Sequence, residues 1–418
     1  MSTYLVIQLA RFGDLLQTKR LVRSLSRDAS EVHLCVDTSL AALAATLYPD
    51  AVIHGIRAHG GGSAIDLLAS NAQAFSMLRQ TQYDRVFILN FSGLASALSS
   101  LFDPSTVVGY HTEAGQVHTE PWLRLAFRWA RTRRTSPLNL MDLWGFLAPN
   151  PIAPEEVNPI AMRKGGGIGV VLAGRNSRRS LPTPLLAQCV QAVFEAHGGP
   201  SVTLFGTKTE AQLAHQLMRE FSGPLLQRTD NRVGRTDWAE LTDRVGQLDV
   251  LLTPDTGTMH LAAHLGTPVH AFFLSSAWAH ETGPYGLGHR VWQVALSCSP
   301  CLESRPCPIG VQCLERFREP GFLRLLAGKV DAAYPPDIIG YVSMLDAVGV
   351  TYMPVFGEDE GAHIRRDQRG VVAERFGLMD IAPVEDNTTA VGLFSEPDWM
   401  LPGRGVAVKP LPITHSNG

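Results

Sequence analysis

At 418 residues the chain is too long for one typical core, and two or three domains are expected. A net charge of −3 gives no overall pull toward nucleic acid, and no apolar run reaches the roughly 20 residues of a membrane span. The first nine residues carry no basic n-region or cleavage site, so the expectation is a cytoplasmic protein with six reduced or metal-bound cysteines.

Taken in order, residues 4–9 read as a strand, Arg11-Phe12-Gly13-Asp14 as a turn and residues 15–25 as a helix. A single glycine at that turn excludes a dinucleotide fingerprint. Strands are expected at 31–36, 51–56, 85–90 and 106–110, and helices at 39–47, 65–78 and 92–101. This alternation predicts a mostly parallel, doubly wound domain. His54, Arg57 and His59 precede three glycines, where they would either meet an anionic ligand or form a solvated loop. Residues 122–134 place Arg124, Arg128 and Arg131 on one helical face and Trp122, Leu125 and Trp129 on another. Such a helix suits either an anionic membrane surface or a packed position with a solvated cationic face.

Four prolines in residues 148–159 read as a linker, which ends a first domain at about residue 150. A second domain, 160–325, repeats the alternation: strands at 167–172 and 201–205, helices at 184–197 and 207–221. Residues 248–273 are its most informative stretch. A short apolar strand runs to Leu252, Pro254-Asp255-Thr256-Gly257 breaks it, and a helix carrying His260 leads to the next strand at 269–273. Small residues opening a helix at a strand's end leave backbone N–H groups free for an anion. An ordinary crossover with an Asp cap would explain Asp255 and Gly257, but not His260 in a small, apolar helix. Residues 341–348 read as a helix; 380–387 and 397–405 read as loops of a C-terminal extension, 326–418.

Asp-Thr-Gly-x-x-His followed by Leu-Ala-Ala-x-Leu-Gly-x-Pro-Val resembles the donor-site signature of glycosyltransferase family 9, which includes the lipopolysaccharide heptosyltransferases. The opening strand with Gly13-Asp14 and the 206–210, 231–241 and 281–286 segments resemble the same family, so the likeness spans both domains. It implies a GT-B architecture: two Rossmann-like α/β domains facing a cleft. It also implies an inverting transfer from a nucleotide-sugar donor such as ADP-heptose to a lipopolysaccharide-type glycan or glycolipid. Nucleic acid is not an expected partner, and transient contact with the inner membrane surface is.

On this resemblance Asp14 is the general base, and the alternative is a helix cap. Asp255, Thr256, Gly257, Thr258, His260 and Ser177 would hold the donor, and Arg179 would neutralise the leaving diphosphate in place of the family's lysine. Leu181 stands where the family has tryptophan. Arg11, His54 and Arg57 are the acceptor-side candidates, and Glu210 reads as a capping acid. No Asp-x-Asp motif stands at a strand end, so no cofactor is required. Cys298, Cys301, Cys307 and Cys313 form C-x2-C-x5-C-x5-C, which would bind zinc or an iron–sulfur cluster or stand as clustered thiols. The other classes left open are a further GT-B enzyme, such as a nucleotide-sugar epimerase, and a non-catalytic sugar-nucleotide or glycan-binding protein.

Overall fold

The computed structural model describes residues 2–378 except 28, 29, 61, 62, 175, 176, 303, 330–332 and 334. The first sheet contains β1 (Thr3–Gln8), β2 (Glu31–Asp37), β3 (Val52–Ile56), β4 (Arg85–Ile88), β5 (Val107–Glu113) and β6 (Gln116–Thr119), in the order β3-β2-β1-β4-β5-β6. All neighbours are parallel except the β5–β6 hairpin. The second sheet contains β7 (Ile168–Val171), β8 (Val202–Phe205), β9 (Thr229–Asn231), β10 (Val250–Pro254), β11 (Val269–Phe273), β12 (Arg290–Val294), β13 (Ile338–Leu345) and β14 (Val350–Phe356). Its order is β14-β13-β12-β11-β10-β7-β8-β9. Helices cover both faces, so the central strands are buried and largely apolar: Leu5, Val6 and Ile7 of β1 are fully buried, and all five residues of β10 are buried.

In each sheet the strand order reverses beside the first strand of the domain, between β1 and β4 and between β7 and β10. Ligands of open α/β sheets bind outside the carboxyl ends of the strands at that reversal. Asp14 follows β1 and Asp255 follows β10, so topology alone brings both to such an edge.

Three elements depart from the sequence reading. The expected helix at 15–25 is two helices, α1 (Phe12–Gln17) and α2 (Lys19–Leu25), broken at Thr18. The Thr18 hydroxyl donates to the Leu15 carbonyl at 2.6 Å, competing with the helix backbone. The strand at 106–110 continues to Glu113 and turns into β6. Residues 341–348 are not helical. Residues 341–345 belong to β13, which pairs antiparallel with β12 and β14 and buries Tyr341 and Ser343, and 346–348 lie in the turn to β14. The exposed edge of β12 offers a row of backbone partners, and that pairing outweighs the local helical spacing.

The chain then crosses back. The Ala362–Arg375 helix follows β14, and Phe376 stacks on Phe146 of the first domain with ring centroids 4.2 Å apart. Arg369 donates to the Pro137 carbonyl at 2.6 Å. Beneath this crossing lies a buried ion pair, Arg20 to Asp142, at 2.6 Å. Arg20 also donates to the carbonyls of Ile152 and Val348, and Asp142 accepts from Tyr285 Oη at 2.7 Å and from the Val350 amide at 3.0 Å. First domain, linker, second domain and β14 thus share one hydrogen-bonded junction. The loops expected at 380–387 and 397–405 lie outside the described residues.

Candidate active site

Asp14 is the third residue of α1 rather than a turn residue. Its Oδ2 accepts from the Arg11 amide at 3.0 Å and closes the first helical turn. It therefore caps, and it also lines the cleft between the domains. The second domain's Gly257–His264 helix meets α1 at the cleft floor. A Cβ at Gly13 would come within 3.2 Å of the His260 ring, and one at Gly257 would overlap the Phe12 ring. At Gly257 the close approach admits no side chain, and at Gly13 an added Cβ would press on the His260 ring.

In the second domain, Thr256 is the N-cap of the Gly257–His264 helix, and its hydroxyl lies 3.0 Å from that of Thr253. Thr256 and Gly257 line the cleft, so the N-terminal end of this helix, where the dipole favours an anion, borders it. Asp255 forms an ion pair with Arg179 and accepts from the Thr282 hydroxyl at 3.2 Å. Burial pushes the Asp255 carboxyl up, and the Arg179 guanidinium opposes that shift. His260 is 5% exposed, and burial lowers its pKa to about 4, so the ring is neutral near pH 7. Its Nε2 lies 2.7 Å from Gln17 Nε2 of α1 and 3.9 Å from Asp255 Oδ1.

The cleft holds about 840 Å³ and brings together Arg11, Asp14, Arg179, Asp255, Thr256, Gly257 and His260 of the expected residues. Its size fits a nucleotide-sized ligand. Four expected residues are not among its lining. His54 is buried within β3, where its Nε2 lies 2.8 Å from His33 Nδ1, so it serves the first domain's interior and not an acceptor. Arg57 is exposed beside Gly60, Ser177 is exposed on its own turn, and Thr258 lies in the helix's first turn. His59 lines the cleft in their place.

Sequence reasoning missed Gln17, Arg133 and Thr282. Arg133 reaches from the first domain to Glu281 of the second, with Nε at 2.7 Å, and lines the cleft. Its signal lay in the arginines at 131–134, in the segment whose sequence suits either a membrane surface or a packed helix with a solvated cationic face. That helix spans Pro121–Trp129, and Trp122 and Trp129 are buried in the first core, so these tryptophans do not face a membrane. No helix of the described residues is long and apolar enough to cross one. Glu210 caps its own turn, as expected, through Thr207, and also lines the cleft. Leu181 is buried in the second core.

Cys298, Cys301, Cys307 and Cys313 line one cavity of about 380 Å³, and Cys301 also borders the cleft. Four thiols suit a soft metal, but the set is not assembled as ligands. Among the described residues no three His, Cys, Asp or Glu side chains are grouped to hold a metal ion. All six cysteines are free thiols.

Residues 190–309 match the model of glycosyltransferase family 9 (heptosyltransferase). This segment contains the Asp255–His260 loop and leaves Asp14 and Arg179 outside. Among solved structures, the chain is similar to an ADP-heptose lps heptosyltransferase II from E. coli, at 16% identity and a TM-score of 0.54 over 79% of this chain and 100% of that one. It is similar to a family 9 glycosyl transferase from Veillonella parvula, at 14% identity and a TM-score of 0.54 over 78% and 98%. It is also similar to the E. coli heptosyltransferase WaaC with ADP, at 14% identity and a TM-score of 0.51 over 68% and 91%. No curated protein matches. The shared feature is the GT-B fold, two Rossmann-like domains facing a cleft.

Proposed function

We propose, from the family 9 segment and the GT-B frame around it, that the chain is a glycosyltransferase that moves a sugar from a nucleotide-sugar donor to a hydroxyl of a glycan acceptor. One observation carries this reading: Asp14 of the first domain and the Arg179–Asp255–Gly257 cluster of the second line the same cleft. A carboxylate that can take a proton thus faces a cationic helix end that can take a leaving phosphate.

The donor's diphosphate would lie on the free N–H groups of the Gly257–His264 helix, with Arg179 against its charge. The acceptor would enter from the first domain, past Arg11 and His59. Its hydroxyl oxygen attacks the anomeric carbon as that carbon's bond to the diphosphate oxygen breaks. The hydroxyl proton passes to Asp14, and the configuration inverts. In this reading Arg179 and the helix end carry the leaving-group charge without a divalent metal. ADP-heptose is the proposed donor and a lipopolysaccharide-type glycan the proposed acceptor, because the similar E. coli structures are described as an ADP-heptose lps heptosyltransferase and as WaaC with ADP. The cationic face beside the Pro121–Trp129 helix is the proposed contact with an anionic membrane surface.

The test is a product assay with ADP-heptose, with and without a glycan acceptor. The expected result is acceptor-dependent release of ADP and a glycan heavier by one heptose. Conversion of the donor without acceptor would make the protein an epimerase-type enzyme, and binding without turnover would make it a non-catalytic binder.

A further inference from the structure

We propose that Gln17 is a positioning residue through which the first domain holds a hydroxyl of the transferred sugar; this rests on the sugar-transfer reading above. Gln17 follows Asp14 by three residues, so both lie on one face of α1, and both line the cleft. The Gln17 side chain is buried, at 4% exposure. One end of its amide is committed: Nε2 lies 2.7 Å from His260 Nε2 across the domain boundary. A neutral imidazole has one bare nitrogen, and here the amide N–H donates to Nε2, which leaves the ring proton on Nδ1.

The other end is not committed. Gln17 Oε1 is buried and has no hydrogen-bond partner within the protein. A buried acceptor left bare is destabilising, and a ligand that donates to it relieves that penalty. A diphosphate cannot, because at neutral pH it offers almost only acceptor oxygens. A sugar hydroxyl can, because its O–H donates.

Geometry selects the transferred sugar. Its anomeric carbon must lie between the leaving phosphate, at the Gly257–His264 helix, and the attacking oxygen, at Asp14. Gln17 is one helical turn from Asp14 and bonded to the fourth residue of that other helix, so its amide stands at this junction. The first domain thereby contacts the donor sugar as well as the acceptor. The bond to His260 fixes which way the amide faces.

The experiment is calorimetric titration of wild type and Gln17→Leu with ADP and with ADP-heptose. Gln17→Leu is expected to bind ADP within about twofold of wild type and ADP-heptose about tenfold more weakly or worse. Nitrogen-detected NMR of His260 should show Nδ1–H in wild type and a mixed tautomer in the variant. Equal losses for both ligands would make Gln17 a structural strut for His260, and no loss for either would leave it without a ligand; each outcome overturns the proposal. Wild type that binds neither ligand would instead overturn the sugar-transfer reading, and this proposal with it. Gln17→Met, of similar length and without an amide, carries the same comparison if Gln17→Leu does not fold.

Discussion

Gln17 of the first domain and His260 of the second meet at 2.7 Å, so the floor of the cleft is bonded across the domain boundary before any ligand arrives. Asp14, the donor helix and Arg179 are therefore already arranged around a common space. Preorganisation of this kind lowers the cost of ordering the site when substrates bind.

Asp14→Asn keeps the side chain's shape and its acceptor oxygen for the Arg11 amide, and removes the base. Folding and ADP binding should remain near wild type, while turnover falls by about 10²-fold or more. A drop in melting temperature with undiminished turnover per folded molecule would reduce Asp14 to a helix cap.

Arg179→Ala removes the cation beside the helix end and leaves the buried Asp255 unpaired. ADP affinity should fall about 10- to 100-fold. Burial already pushes the Asp255 carboxyl up, and without Arg179 only the Thr282 hydroxyl and Arg133 are left to oppose it, so Asp255 should take up a proton at a higher pH than in wild type. Titration of ADP affinity against pH reads both effects.

Acid should destabilise the second domain. Burial lowers the pKa of His260 and His289 to about 4 and of His264 and His270 to about 3, against 6.5 when unfolded. The unfolded chain therefore binds more protons than the folded one as pH falls below 6.5. Stability is fully present above that pH and is lost progressively toward pH 4, by about 2 kcal/mol per imidazole at pH 5. Thermal unfolding at pH 7.5 and 5.0 checks the sign; a higher melting temperature at pH 5.0 would contradict it.

The cysteine loop should react unevenly. Backbone amides of Ile309 and Val311 hold the Cys307 thiol below its usual range, whereas burial pushes Cys35 up to about 12 and raises Cys189 as well. Iodoacetamide near pH 7.5 should label Cys307 first and spare Cys35 and Cys189 in folded protein. Repeating the labelling after incubation with zinc tests the loop as a metal site. Protection of all four loop thiols would assign them as ligands, and unchanged labelling would leave them free.

The strand–helix turn that lines the cleft from the second domain was legible because its chemistry is local. Asp255, Thr256, Gly257 and His260 lie within six residues of one strand–helix turn, and period and turn chemistry place them. Long-range partners were not legible. Nothing near Gln17 in the chain announces His260, and nothing near Asp142 announces Arg20 or Val350. His54 shows the same limit from the other side: it precedes a glycine loop, yet strand alternation turns it inward to His33. The misreading of 341–348 arose where sheet pairing overrode local spacing, which a single sequence does not display.

The Arg20–Asp142 junction bears on how variants of this protein can be built. Its bonds draw on the first domain, the linker, Tyr285 and β14, so neither half holds a complete set when cloned alone. A half-chain, or a chimera that exchanges one whole domain, would keep the Arg20–Asp142 pair but strip it of its bonds to Val348, Tyr285 and Val350, at about 1–3 kcal/mol for each buried group left unsatisfied. Exchanges are better confined to the short cleft-lining loops at 206–210 and 255–260 in an otherwise intact chain.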